Sequence, residues 1–426
     1  MEILLAVTFV LGYAAIAFEH PIKINKAASA LITGVLCWTI FVLFSNDSHV
    51  INHQLEEHMG ELSGILFFLL GAMVIVELID AHDGFQLITD RIKTDSPTKL
   101  LWMVGFITFF LSAALDNLTT TIVMVSLMRK ILSDQKDRLF FAGIIVVAAN
   151  AGGAWSPLGD VTTTMLWIGN QISAGSIVLN VFLPSVACLA VPLLYLTWQV
   201  KKEAPTLPQV AIKPEKSNTT ARERNIVFYL GLGGLLFVPI FKTVTHLPPF
   251  MGMLLSLGVL WVVTELLHHN KDLEEKGALS VVHALRKIDA ASVLFFLGIL
   301  VAISALQSAG MLKEMAVWLA NAIGNENVIV VAIGLLSSIV DNVPLVAAAQ
   351  GMYSLEQYPT DHSFWLFLAY CAGTGGSALI IGSAAGVAAM GMEQINFIWY
   401  LKKISLLALL GYFAGVGVYL LQMQLF

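Results

Sequence analysis

Apolar stretches of about 20 residues recur along the whole chain, and nothing else in the sequence restricts its fold as strongly. At 1.5 Å per residue, a helix of that length covers the ~30 Å hydrocarbon core of a bilayer. The chain is 57% hydrophobic and 12% charged, against about 25% charged in soluble proteins. It lacks the strict apolar–polar alternation of a membrane β-barrel. The expected fold is an all-α polytopic membrane protein. Candidate spans are 2–18, 27–45, 61–80, 100–115, 118–132, 139–170, 173–199, 226–242, 249–268, 289–308, 327–340, 343–355, 364–392 and 404–422. The first is expected to be a retained helix, because it has neither a basic leader nor a clear cleavage site. Cys37, Cys188 and Cys371 all lie in apolar runs, so they are expected to pack rather than pair or bind metal.

Charge sets the expected orientation. With the N-terminus outside, segments 19–26, 81–99, 129–138, 200–225, 269–288 and 393–403 are inside and hold 21 of the 23 Lys and Arg residues. That is the positive-inside pattern. Two pairs, 100–115 with 118–132 and 327–340 with 343–355, have members too short to cross. Each pair is expected to form a re-entrant helical hairpin, which is tolerated only where protein or an aqueous cavity surrounds it. Segment 46–61, "NDSHVINHQLEEHMGE", reads as a solvated outer loop, and 311–324 as an interfacial helix.

The two halves also resemble each other. "LDNLTTT" (115–121) parallels "VDNVPLV" (340–346), and "NAGGAWSPLGD" (150–160) parallels "GTGGSALIIGS" (373–383). Gly71 matches Gly298, and Gly84 matches Gly310. The orientation from charge makes these repeats inverted. The expected organisation is N-terminal scaffold helices (1–60), repeat 1 (61–199), a cytoplasmic linker (200–225) and repeat 2 (226–422). Repeat 1 contains hairpin 100–132 and broken helix 139–170; repeat 2 contains hairpin 327–355 and broken helix 364–392. Inverted repeats with broken helices characterise secondary transporters, with the site at the repeat interface.

Polar residues gather at these breaks. The first tip offers Asp116, Asn117, Thr119 and Thr120, and the first broken helix Asn150, Ser156, Asp160, Thr162 and Thr163. The second tip offers Asp341 and Asn342, and the second broken helix Thr374, Ser377 and Ser383. An aspartate at mid-membrane costs roughly 2.5–3.5 kcal/mol on insertion scales. Asp116 and Asp341 also suit helix N-caps. The set is rich in oxygen and contains no Arg, Lys or His, which suits a hard cation. A buried carboxylate that holds either a cation or a proton performs cation/proton exchange. Glu77 and His82 are candidates for a proton path or pH sensing.

"ALDNLTTT", "NAGGAWSPLGDVTTTMLW" and "VDNVPLVAA", in this order, resemble the NhaD-type sodium/proton antiporters. These belong to the ion transporter superfamily, with arsenite permeases and divalent-anion/sodium symporters as distant relatives. The resemblance covers nearly the whole chain. It implies exchange of internal Na+ or Li+ for external H+, a homodimer, and elevator-like motion in a plasma (bacterial inner) membrane. It also implies Na+ at Asp116, Asn117, Asn150 and Asp160, with Thr162, Asp341 and Asn342 in the ion site. No cofactor and no nucleic acid are expected. An arsenite or oxyanion permease and a sodium-coupled anion symporter remain alternatives; an enzyme is disfavoured by the lack of a metal set or nucleophile motif.

Overall fold

In the computed structural model, residues 1–45, 48–89, 92, 94, 96–200, 219–269 and 271–425 are described, and every regular element among them is a helix. The first half runs α1 (Glu2–Ala17), α2 (Glu19–Ile22), α3 (Lys26–Leu43), α4 (Ser48–Ala81), α5 (Gln86–Thr89), α6 (Pro97–Leu115), α7 (Asn117–Ile131), α8 (Gln135–Ala154), α9 (Val161–Ile168) and α10 (Ala174–Val200). The second runs α11 (Ala221–Thr245), α12 (Pro249–Leu267), α13 (Leu273–Ala278), α14 (Val281–Lys287), α15 (Ala290–Ser308), α16 (Met311–Ile323), α17 (Glu326–Leu336), α18 (Asn342–Met352), α19 (Ser363–Gly375), α20 (Ala384–Glu393), α21 (Phe397–Lys403) and α22 (Ser405–Leu425). Nine of the described helices are long and apolar enough to cross a membrane. Many large apolar side chains face outward, such as Ile3, Leu179 and Leu425, as lipid contact requires.

Local chemistry sets the helix ends. Ser96 caps α6 with Pro97 in its first turn, where a missing N–H costs nothing. Thr220 and Glu223 form a capping box that starts α11, so the linker expected to reach residue 225 ends before Ala221. Residues 201–218 of that linker lie outside the described residues. Two further expectations are corrected. Segment 46–61 is not a loop: from Ser48 it is the start of α4, whose 34 residues extend about 51 Å. The arm expected at 100–115 begins at Pro97, and its 19 residues reach about 28 Å. Length alone therefore gives no reason for this arm to turn back. The arms α7, α17 and α18, with 15, 11 and 11 residues, remain short. The segment expected at 311–324 is α16, which meets α17 at a 114° bend.

The helices pack as two groups. Helices α1, α3, α4, α11, α12 and α15 lie against one another, with α3 along α15. In the other group α6 packs on α8 and α17 on α19, while α10 lies along α22. The second arms cross over: α7 packs on α20, and α18 packs on α9. Backbones touch where the arms meet the broken helices. A Cβ on Gly152 would lie 2.1 Å from the Phe109 carbonyl oxygen, and one on Gly375 would lie 1.9 Å from that of Gly334. Only glycine permits approaches this close.

Candidate functional site

Each break ends on a residue that caps the helix after it. Asp116 caps α7, Asp160 caps α9, Asp341 caps α18 and Ser383 caps α20. Capping explains why aspartate is tolerated at these positions: its oxygens satisfy helix N–H groups and face the positive end of the helix dipole. The polar side chains then join the four helix starts. Asp160, 2% exposed, is the hub. Its Oδ1 accepts from the Thr162 backbone N–H and hydroxyl, both at 2.8 Å. Its Oδ2 accepts from Asn117 Nδ2 at 2.7 Å. Asn342 Nδ2 stands 3.3 and 3.4 Å from the two carboxylate oxygens.

Asn150 extends the network. Its Oδ1 accepts from Asn117 at 3.0 Å, and its Nδ2 donates to Ser377 and Ser383 hydroxyls, both at 2.9 Å. Asn117, Asn150, Asp160, Thr162, Asn342, Ser377 and Ser383 are all buried. One carboxylate thus sits where both halves of the chain meet, among amides and hydroxyls that can turn either a donor or an acceptor toward it.

Other candidates serve local structure. Asp116 points to its own helix: Oδ1 takes the Thr119 N–H at 2.7 Å and Oδ2 its hydroxyl at 2.8 Å. Its neighbour Asn117, not Asp116, reaches Asp160. The Asp116 backbone has φ 119° and ψ 162°, a region almost reserved for glycine that costs about 1–3 kcal/mol. Ser156 donates to the Ala113 carbonyl at 2.6 Å, Thr163 to that of Asp160 at 2.9 Å and Thr374 to that of Tyr370 at 2.7 Å. Thr120 is fully buried, and its hydroxyl has no hydrogen-bond partner among the described residues; the same holds for Thr121.

Asp341 accepts from the Val343 N–H at 3.2 Å, and the Lys26 ammonium lies 4.0 Å from its other oxygen. The expectation of a site without lysine is therefore corrected: Lys26, counted as a loop charge, sits at the second tip. Sequence reading also missed Ser112 and Ser337, which donate to the carbonyls of Ala149 (2.6 Å) and Ala372 (3.1 Å). Each stands four residues before the aspartate of its tip, a spacing that could have exposed them. Glu393, likewise unforeseen, is 5% exposed. It pairs with Arg129 at 2.6 Å and Arg138 at 3.3 Å, tying the end of α20 to the end of α7 and the start of α8.

Glu77 and His82 stand apart from this network. Glu77 pairs with Lys287 of α14 at 3.4 Å. His82 is fully buried. Its Nδ1 lies 2.7 Å from the Leu78 carbonyl oxygen, and its Nε2 lies 2.8 Å from His268 Nε2. His268 Nδ1 faces the Glu223 carboxylate at 3.6 Å. Burial pulls His82 below the ordinary 6.5. It pulls His268 to about 4, with neighbouring His82 and Lys271 acting in the same direction.

Residues 13–373 match the CitMHS family, described as a citrate transporter. Sodium/proton antiporter 1 of Arabidopsis thaliana is 50% identical over 421 residues, covering 98% of this chain and 72% of that protein. Sodium/proton antiporter 2 of the same plant is 48% identical, covering 98% of both. The Na(+)/H(+) antiporter NhaD of Vibrio cholerae is 30% identical, covering 97% of this chain and 90% of the relative.

Proposed function

The chain belongs to the citrate transporter (CitMHS) family and, within it, to the NhaD-type transporters, and from that premise we propose that it exports Na+ or Li+ in exchange for protons. It is an integral, multi-pass membrane protein and a secondary transporter rather than an enzyme. The observation that carries the exchange reading is Asp160, a buried carboxylate shared by the helix starts of both halves.

Asn117 and Asn342 direct their amide nitrogens at Asp160. Turning either amide about its terminal bond replaces a donor by a carbonyl oxygen. The same residues then offer Na+ an oxygen shell around one carboxylate, with the Thr162 hydroxyl and backbone carbonyls at the breaks as further ligands. A proton on Asp160 removes the negative charge and releases the ion. Cation and proton compete for one group, so each crossing carries one or the other. Glu77 and His82, at the end of α4, serve as candidates for the proton route. An anion such as citrate meets the Asp160 and Asp341 carboxylates here, which disfavours it unless cations accompany it.

The wider reading has inverted repeats that exchange inward and outward access, with the hairpins moving in an elevator-like way. The N-terminus is outside, the central linker is cytoplasmic, and two copies associate in the plasma membrane. The sequence repeat and the matching glycine contacts support the repeats, and the positive-inside distribution of Lys and Arg supports the orientation. The test is proton flux in everted vesicles, with Na+, Li+, K+, Ca2+ and citrate added in turn. Na+ and Li+ should dissipate a preformed pH gradient. Silence with both between neutral and alkaline pH, or flux with citrate alone, would end the antiporter reading.

A further inference from the structure

The two tips carry the same Asp-Asn pair, but among the described residues only the second has a basic side chain paired with its carboxylate. Lys26 opens α3, and its ammonium lies 4.0 Å from Asp341 Oδ2. It also lies 4.5 Å from the ring centroid of Phe295, a buried residue of α15. Tyr13 of α1 completes the surroundings of Asp341. Lys26 thus belongs to the group of helices around α3 and α15, whereas Asp341 begins α18, the second arm of its pair, which packs between α15 and α16 on one hand and α9 and α19 on the other.

We propose that Lys26 is the resident counter-ion of Asp341, and that the transported cation gains this second carboxylate only by displacing it. This rests on the exchange reading above. At 4.0 Å the pair is longer than a hydrogen bond, so attraction of charge holds it without a locked geometry. Both side chains are partly exposed, at 26% and 19%, which leaves room for the ammonium to swing. The electron-rich face of Phe295, already 4.5 Å from the ammonium, can keep hold of it when the carboxylate is given up. Asn342, next in the chain to Asp341, reaches Asp160, so the two carboxylates belong to one electrostatic environment.

While Lys26 sits on Asp341, the second tip is neutral, and an arriving cation is attracted by Asp160 alone. Once Lys26 swings off the carboxylate, Asp341 adds a second negative charge. The strength of the Lys26–Asp341 pair therefore sets the apparent affinity for Na+. Cation arrival also loosens the charge contact between α3 and the start of α18, one of the contacts a moving hairpin has to break.

The test is Na+-driven proton flux in everted vesicles, with KM and maximal rate measured separately for wild type and four variants. Lys26→Gln removes the competitor and should lower KM for Na+ about fivefold, with a slower maximal rate because release is harder. Lys26→Arg grips a carboxylate with a planar fork and should raise KM about threefold. Asp341→Asn leaves the lysine charge uncompensated and should raise KM. Adding Lys26→Gln to Asp341→Asn should bring KM back down. A structural role for Lys26 predicts no opposite shifts for Gln and Arg. If both leave KM within about twofold of wild type while the wild type transports Na+, the counter-ion assignment is wrong. A wild type that gives no Na+ or Li+ flux overturns the exchange reading first, and the assignment with it. Elution as a single detergent-solubilised species checks that each variant is folded, and a Lys26→Gln protein that folds but shows raised KM also refutes the assignment.

Discussion

The tips at Asp116 and Asp341 are alike in sequence and opposite in physical situation. Asp116 is held in strained backbone, φ 119°, with both carboxylate oxygens turned onto Thr119 of its own helix. Asp341 has φ −48° and turns to Lys26 on α3 rather than onto its own helix alone. Their asparagines differ as well. Asn117 lies 2.7 Å from Asp160 and also bonds Asn150, whereas Asn342 approaches Asp160 at 3.3 and 3.4 Å. The first tip is tightly built into the hub. The second is loosely joined to it and bound by charge to its surroundings. A duplicated motif can therefore keep its residues and divide its duties, one copy forming the site and the other setting its access.

The largest effect is expected where both tips converge. Asp160→Asn should reduce Na+-driven proton flux about a hundredfold or more, because the charge that both asparagines attend is gone. Vesicle flux normalised to protein level checks this, and a variant retaining a tenth of wild-type flux would remove Asp160 from the centre of the comparison. Next comes the anchor of the first tip's far arm. Glu393→Gln should lower stability by about 2 kcal/mol, less than a fully buried pair because both guanidinium groups reach solvent. Thermal unfolding in detergent reads the change, and an unaltered midpoint would mean the clamp contributes nothing to holding α7.

A smaller contrast separates the asparagines. Asn117→Ala should weaken apparent Na+ affinity about tenfold and Asn342→Ala about threefold, following the strength of their bonds to the carboxylate. Equal effects would erase the distinction between a tight and a loose tip. The smallest effect lies outside both tips and serves as a control. His268 titrates at about 4 in the folded protein and at an ordinary 6.5 when unfolded, so the unfolded chain binds the proton more readily. Stability from this group is intact above pH 6.5 and is lost as pH falls from 6.5 toward 4. His268→Gln should flatten that part of the pH–stability curve while leaving the KM for Na+ unchanged.

Much of the fold was legible because each span must be apolar over a known length. Most helix positions therefore follow within a few residues from hydropathy alone. The ends that escaped, Pro97 and Ser48, start in polar sequence, and at Pro97 the Ser96 cap rather than hydropathy decides. In the site, the residue types and the two tips were readable from the repeat. Which member of each Asp-Asn pair faces the hub was not. Adjacent helix positions point about 100° apart, and strained backbone at Asp116 turns its carboxylate onto Thr119. Lys26 and Glu393 were unreadable for another reason. Each meets its partner across more than 250 residues of chain, and the sequence marks Lys26 only as one more charge beside a span.

The crossing of the second arms has a consequence for the chain's divisibility. Because α7 rests on α20 as well as on α8 and α6, and α18 rests on α9 as well as on α15 and α16, each half lacks part of the surface that its own second arm covers. A polypeptide cut in the linker would yield two incomplete folds, each exposing what the other was meant to shield. Co-expressed, the two pieces should recover one another.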